Sequence, residues 1–156
     1  MRENDSVAMY FVHIMLYSLR DQPARAAALL HQAGIDPVLI HEINARVPAS
    51  AFARLWLILI EALDDEFFDL DSHGMPLGSF ALICRGLIQE PNLEKALNQC
   101  LGNFGLFLRD MRGTLSVRGQ RAVISLHSCI DDPQRRVFAE ETLLVLVISL
   151  LCWLGG

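Results

Sequence analysis

Charge is scarce in this chain. Asp, Glu, Lys and Arg make up only 20% of its 156 residues, against about 25% in ordinary globular domains. What charge there is sums to −5, so there is no basic face for non-specific nucleic-acid binding. Cysteine is limited to Cys84, Cys100, Cys129 and Cys152. No two of them form a CxxC pair, and the spacing fits neither a zinc site nor a disulfide framework. They read as reduced, mostly buried thiols of a cytoplasmic protein. No signal peptide is expected: polar MRENDS precedes an apolar stretch that carries His13 and Arg20.

Catalytic and metal motifs are lacking too. His13, His31, His41, His73 and His127 never recur three or four residues apart, so no helix presents a two-histidine metal face. Asp69-Leu70-Asp71-Ser72-His73-Gly74 imitates the start of a calcium loop. Its twelfth position, however, is Phe80, where a bidentate Glu is required. The segment reads as a solvated acidic turn. Ser72 and His73 beside Asp71 do not make a triad, because sequence neighbours seldom adopt that geometry and the GxSxG elbow is absent. GxGxxG and GxxxxGK(S/T) are absent as well, so no phosphate cradle is expected. These absences argue against an enzyme, with a hydrolase or other enzyme using Asp71 and His73 as the catalytic alternative, and predict no catalytic residue, no metal and no cofactor.

Apolar residues are abundant, at 53%, enough for a full core in one domain. Val7–Leu19 is apolar without a decisive period and could be helix or strand. Pro23 opens a helix over Ala24–Ala33 and Gly34 closes it. Asp36-Pro37 starts a short helix ending near Glu42. Pro48 and Ser50 begin a helix over Ala49–Leu63, with Phe52, Leu55, Trp56, Leu59 and Leu63 on one stripe and Leu57, Ile58 and Ile60 widening it; this breadth predicts a central helix. An acidic, then Gly- and Pro-punctuated loop covers Asp64–Gly78. Helices follow at Ser79–Gln89 and, after the breaker Pro91-Asn92, at Leu93–Leu108, whose stripe is Leu93, Leu97, Leu101, Phe104 and Leu108. The period then changes to two. Gly113–Arg118 and Arg121–Ser128 alternate about Gly119-Gln120, a two-residue turn of type II′ composition. Asp131-Asp132-Pro133 caps a last helix over Gln134–Leu154. The predicted fold is therefore α+β, a helix-rich single domain with a small antiparallel sheet that includes hairpin 113–128. A lone hairpin is marginal and needs more strands or a helix beneath it; Val7–Leu16 is one candidate strand.

Two patches remain for function. Thr142–Gly156 is uncharged, shorter than the roughly 20 residues of a membrane span, and abutted by Glu140 and Glu141. It reads as a helix covered on all sides, by the domain, by a second subunit, or by further protein following residue 156. Leu143, Leu144, Val147, Leu150, Leu151 and Trp153 are the candidate interface of a homodimer. For a ligand, Trp56, His73 and Arg85 are the candidates. Arg85 sits among Leu82, Ile83 and Leu87, so it snorkels, pairs with Asp64 or Glu61, or awaits an anion such as a carboxylate or amino-acid-like metabolite. Arg109, Arg112, Arg118 and Arg121 gather near the hairpin as solvated or edge-protecting charges, with anion binding as the alternative.

Several segments taken in order resemble the N-terminal, arabinose-binding-type domain of AraC-type bacterial transcription regulators. They are LLHQAGIDPVLI (Leu29–Ile40), RVPASAFARLW (Arg46–Trp56), LDDEFFDLDSHGMPLGSFALICRGLIQEPNLEKAL (Leu63–Leu97), and the hairpin with DDPQRR (Asp131–Arg136). The resemblance implies that residues 1–156 are an effector-binding and dimerisation domain. It also implies that DNA is contacted only by a C-terminal module of two helix-turn-helix units, absent from this chain. Kinship at this level does not fix the ligand. A stand-alone small-molecule binding domain unrelated to transcription is the alternative, and the coding sequence beyond residue 156 separates the two.

Overall fold

The computed structural model describes residues 5–42 and 44–155. Residues 1–4, 43 and 156, which include most of the polar N-terminal stretch, lie outside the described residues. The apolar N-terminal segment resolves into three short pieces: strand β1 (Ser6–Ala8), helix α1 (Met9–Met15) and a 3₁₀ turn, Tyr17–Leu19. β1 pairs antiparallel with β2 (Arg46–Pro48), Ser6 opposite Pro48 and Ala8 opposite Arg46. Arg46 tightens this pair by donating from Nε to the Ser6 hydroxyl and from Nη2 to its carbonyl, both at 2.8 Å. Val7–Leu16 is thus not a strand of the hairpin's sheet. The two sheets are separate, each of two strands.

Local signals set the next elements. Helix α2 (Pro23–Ala33) has Pro at its first position and ends at Gly34, whose φ of +78° is left-handed. The Ile35 amide then reaches back to the Leu30 carbonyl at 2.9 Å, closing the C-terminus. The Asp36 side chain accepts from the Val38 amide at 3.0 Å and starts a 3₁₀ helix, Pro37–His41. Helix α3 (Ala49–Leu63) buries Ala51, Leu55 and Leu59 against the core. Leu57 is 59% exposed, so α3 flanks the core and is not enclosed by it, contrary to the central position its apolar breadth suggested.

After the loop come α4 (Ser79–Leu87) and α5 (Leu93–Phe107). Asn92 caps α5 by accepting from the Lys95 amide at 2.9 Å. Leu97, Leu101, Phe104 and the following Leu108 are buried, whereas Leu93 is exposed. The hairpin is β3 (Met111–Arg118) and β4 (Arg121–Ser128), with Leu115 opposite Ile124 and Val117 opposite Ala122. Gly119 takes φ +60° while Gln120 stays out of the left-handed region, as a type II′ turn requires. The hairpin lies on α5 in place of further strands. A Cβ on Gly113 would stand 2.6 Å from Leu101 Cδ2, so any other residue there would push the buried Leu101 side chain aside. Arg112 is exposed but also bound: its Nη1 donates to the carbonyls of Gly105 and Leu108 at the end of α5.

Helix α6 (Pro133–Gly155) spans 23 residues. The Asp132 carboxylate caps it, accepting from the amides of Gln134 at 2.9 Å and Arg135 at 3.1 Å. By length and composition alone it could cross a membrane. It carries Arg135, Arg136, Glu140 and Glu141 in its N-terminal turns, and packs Phe138, Leu143, Leu146, Val147 and Leu150 into the domain core. The result is an α+β domain with six α-helices among the described residues. Of the thiols, Cys100 is buried and Cys84 half-buried, but Cys129 and Cys152 are exposed, so half of the cysteines are not the buried thiols expected.

Candidate ligand cavity

The three residues singled out for a ligand do not meet. Arg85 is exposed on α4, and among the described residues it forms no ion pair with Asp64 or Glu61. His73 is exposed and its Nδ1 lies 2.7 Å from the Phe107 carbonyl. A carbonyl can only accept, so Nδ1 carries the proton and ties the loop to the end of α5. Trp56 is half-buried and packs edge-on against Phe68 at 4.7 Å. It borders a small apolar cavity of about 220 Å³ between α1, α3 and α6, shared with Phe11, Ile14 and Val145.

The acidic loop is not a solvated turn. Asp65 and Asp71 are buried. Asp65 accepts from the amides of Phe67 (2.7 Å), Met75 (2.9 Å) and Asp69 (3.0 Å). Burial pushes its carboxyl above the usual range, against the pull of those amides. Asp71 accepts from the amides of Arg109 (2.8 Å), Asp110 (2.9 Å) and His73 (3.0 Å). Asp110 returns the link by accepting from the Ser72 amide at 2.9 Å. Desolvation would raise the Asp110 carboxyl, but the bonds from Ser72 and the charges of Arg135 and Arg109 outweigh it and hold it low. Glu66 accepts from the amides of Gly78 and Phe80, fixing the start of α4. These carboxylates serve backbone amides that no helix or sheet satisfies. Among the described residues no group of His, Cys, Asp and Glu could hold a metal ion.

A larger cavity, about 710 Å³, lies elsewhere, bounded by α1, the 3₁₀ turn after it, α2, Pro37–His41 and the first turns of α6. Its floor is apolar, with Leu16, Leu19, Leu30 and Phe138. Its polar lining is Tyr10, His13, Tyr17, Arg20, His41 and Gln134. Two phenols brace the wall. Tyr10 donates to Glu141 Oε2 at 2.6 Å and Tyr17 to Asp132 Oδ2 at 2.5 Å. Both rings meet Phe138 edge-on, at 5.9 and 5.4 Å. Arg20 lies over the Tyr17 ring, 4.6 Å from its centroid. Sequence reasoning passed over these residues because no motif marks them. A signal was available: Tyr10, His13, Tyr17 and Arg20 recur at three, four and three, which is one face of a helical segment.

The braces also set a pH dependence. Desolvation, then the bond to Glu141, push the Tyr10 phenol up to about 12. The bond to Asp132 raises the Tyr17 phenol and, from the other side, holds the Asp132 carboxyl below its usual value. A depressed carboxyl stabilises the fold above its unfolded pKa, about 4, and that stability is lost as pH falls through the lower folded value. A raised phenol stabilises below about 10 and fails as pH climbs through the folded value. Thermal melts should therefore show Tyr17→Phe lowering the midpoint at pH 7 and reducing the difference between pH 7 and pH 3. An unchanged difference would dissociate the bond from the acid limb.

The geometry is that of a ligand-sized concavity with an apolar floor and a few polar groups, within the roughly 300–1,000 Å³ of small-molecule sites. A family model described as the arabinose-binding domain of AraC transcription regulators, N-terminal, matches residues 24–156. The chain belongs to this family. No curated protein and no solved structure matches it. The AraC-type arabinose-binding domain is a ligand-binding regulatory domain and not a known enzyme class. Within it, α2, Pro37–His41 and α6 are walls of the cavity that fall inside the matched residues. Tyr10, His13, Tyr17 and Arg20 precede them.

Proposed function

We propose that this domain binds a small-molecule effector in the 710 Å³ cavity, forms a homodimer, and so controls DNA binding by a C-terminal domain of an AraC-type regulator in the cytoplasm. The observation that carries the reading is the double use of α6. Gln134 and Phe138 in its first turns line the cavity. Further along, Val145, Ile148 and Trp153 are exposed. An effector that moves the first turns therefore acts on the apolar stripe beyond them, because a helix transmits displacement along its length. The effector expected is a carboxylate or amino-acid-like metabolite.

The six residues expected at the dimer interface divide by burial. Leu143, Val147 and Leu150 lie inside the domain's own core, Leu144 and Leu151 are half-buried, and Trp153 is 56% exposed. A partner would meet Leu144, Val145, Ile148, Leu151 and Trp153, self-complementary about a two-fold axis. Light scattering over a concentration series tests this. Dimers are expected at tens of micromolar, and a monomer there removes the interface reading.

A further inference from the structure

We infer that the cavity takes an anionic small molecule: an apolar body with one carboxylate-like head held at Arg20. This rests on the effector-cavity reading above and specifies its ligand class. The first observation is the sign of the lining. The chain carries 18 acidic residues against 13 basic ones, yet among the described residues no Asp or Glu lines this cavity, while Arg20, His13 and His41 do. The nearest carboxylates are already engaged. Glu141 and Asp132 accept the two phenol hydroxyls. Asp21, 85% exposed, forms an ion pair with Arg20 Nε at 3.8 Å, and the Arg20 charge also acts on Asp132; with Arg20 itself 53% exposed, this pairing is screened by solvent and leaves the guanidinium open to a further anion.

The second observation is the way Arg20 is held. Its Nη1 donates to the Tyr17 carbonyl at 3.2 Å, and the guanidinium is stacked on the Tyr17 ring. Both contacts fix the plane of the fork, and neither neutralises its charge. A planar, pre-oriented guanidinium is suited to a carboxylate or phosphate rather than to a neutral hydroxyl. The third is the floor. Leu16, Leu19 and Leu30 are buried beside Phe138, and they offer a sugar's hydroxyls no partner, so burying such hydroxyls there would cost free energy. Finally, Arg20 and His13 lie outside the residues matched by the family model, so the head-group site is not a property the match confers.

The test is calorimetric titration of the full chain with three probes: 4-phenylbutyrate, its primary amide, and L-arabinose. The expected result is binding of the acid about tenfold or more tighter than of the amide, the worth of one charged hydrogen bond. Arg20→Gln should erase that preference and Arg20→Lys should restore part of it, with circular dichroism showing both variants folded. Ala27→Trp, which fills the cavity from α2, should abolish binding. Equal affinity for acid and amide, survival of the preference in Arg20→Gln, or no binding of the acid overturns the inference. Binding of L-arabinose alone, blocked by Ala27→Trp, overturns it too but leaves the effector cavity standing. Binding of any probe unaffected by Ala27→Trp removes the cavity itself.

Discussion

Replacing Asp71 with Ala should destabilise the domain by about 3 kcal/mol, at about 1 kcal/mol or more for each of three amides left without an acceptor. Asp71 is only 2% exposed, and its carboxylate holds the amides of His73, Arg109 and Asp110. Two of those amides are in the segment that joins α5 to the hairpin, 38 and 39 residues away in sequence. The loop and the hairpin should therefore loosen together. Urea unfolding measures the loss, and hydrogen exchange at Arg109 and Asp110 localises it. Asp71→Asn, which keeps one acceptor oxygen, should cost less. Asp69→Asn is the control: Asp69 is exposed, and a substitution there should fall within about 0.5 kcal/mol. Equal effects at positions 69 and 71 would mean that burial and the three amide bonds do not distinguish Asp71 from its exposed neighbour. A negligible effect of Asp71→Ala would mean that water replaces the carboxylate at all three amides.

Leu150→Glu should abolish folding, whereas Ile148→Glu should leave the domain folded and make it monomeric. The two residues are two positions apart on one helix. Leu150 is 3% exposed and Ile148 is 53% exposed. Removing Leu150 from the core costs about 2–5 kcal/mol, and the buried carboxylate adds several more unless it is protonated. Together these approach the whole stability of a domain this size, about 5–15 kcal/mol. At position 148 the carboxylate reaches water in the monomer and is buried unpaired only if a partner covers it. Circular dichroism reads folding and light scattering reads mass. A folded Leu150→Glu variant would show that α6 is less embedded than its buried side chains imply. A dimeric Ile148→Glu variant would move the interface off this face.

Pro23 at the start of a helix and Gly34 after it, Asp36 ahead of Pro37, Asp132 ahead of α6, and Gly119 in a two-residue turn were all legible in the sequence. So were α3 at Ala49–Leu63 and the pairing of the two hairpin strands. Each depends on backbone geometry within a few residues or on a periodicity repeated over one element, and both are written locally. The order of such segments also carried the family resemblance, which rests on turn and core positions and needs no site. Tertiary structure decided the rest. Tyr10 meets Glu141 across 131 positions and Tyr17 meets Asp132 across 115, so the local spacing of Tyr10, His13, Tyr17 and Arg20 marks a shared face but not the cavity that α6 closes beside it. The same holds for Asp71, whose spacing resembles an ion-binding loop and whose role is set by amides that arrive from beyond α5. It holds also for α6, which is apolar on nearly every side. Hydrophobicity alone could not divide it into Leu143, Val147 and Leu150 within the core and Val145, Ile148 and Trp153 without, because that division exists only once the other helices have taken one face and left the other.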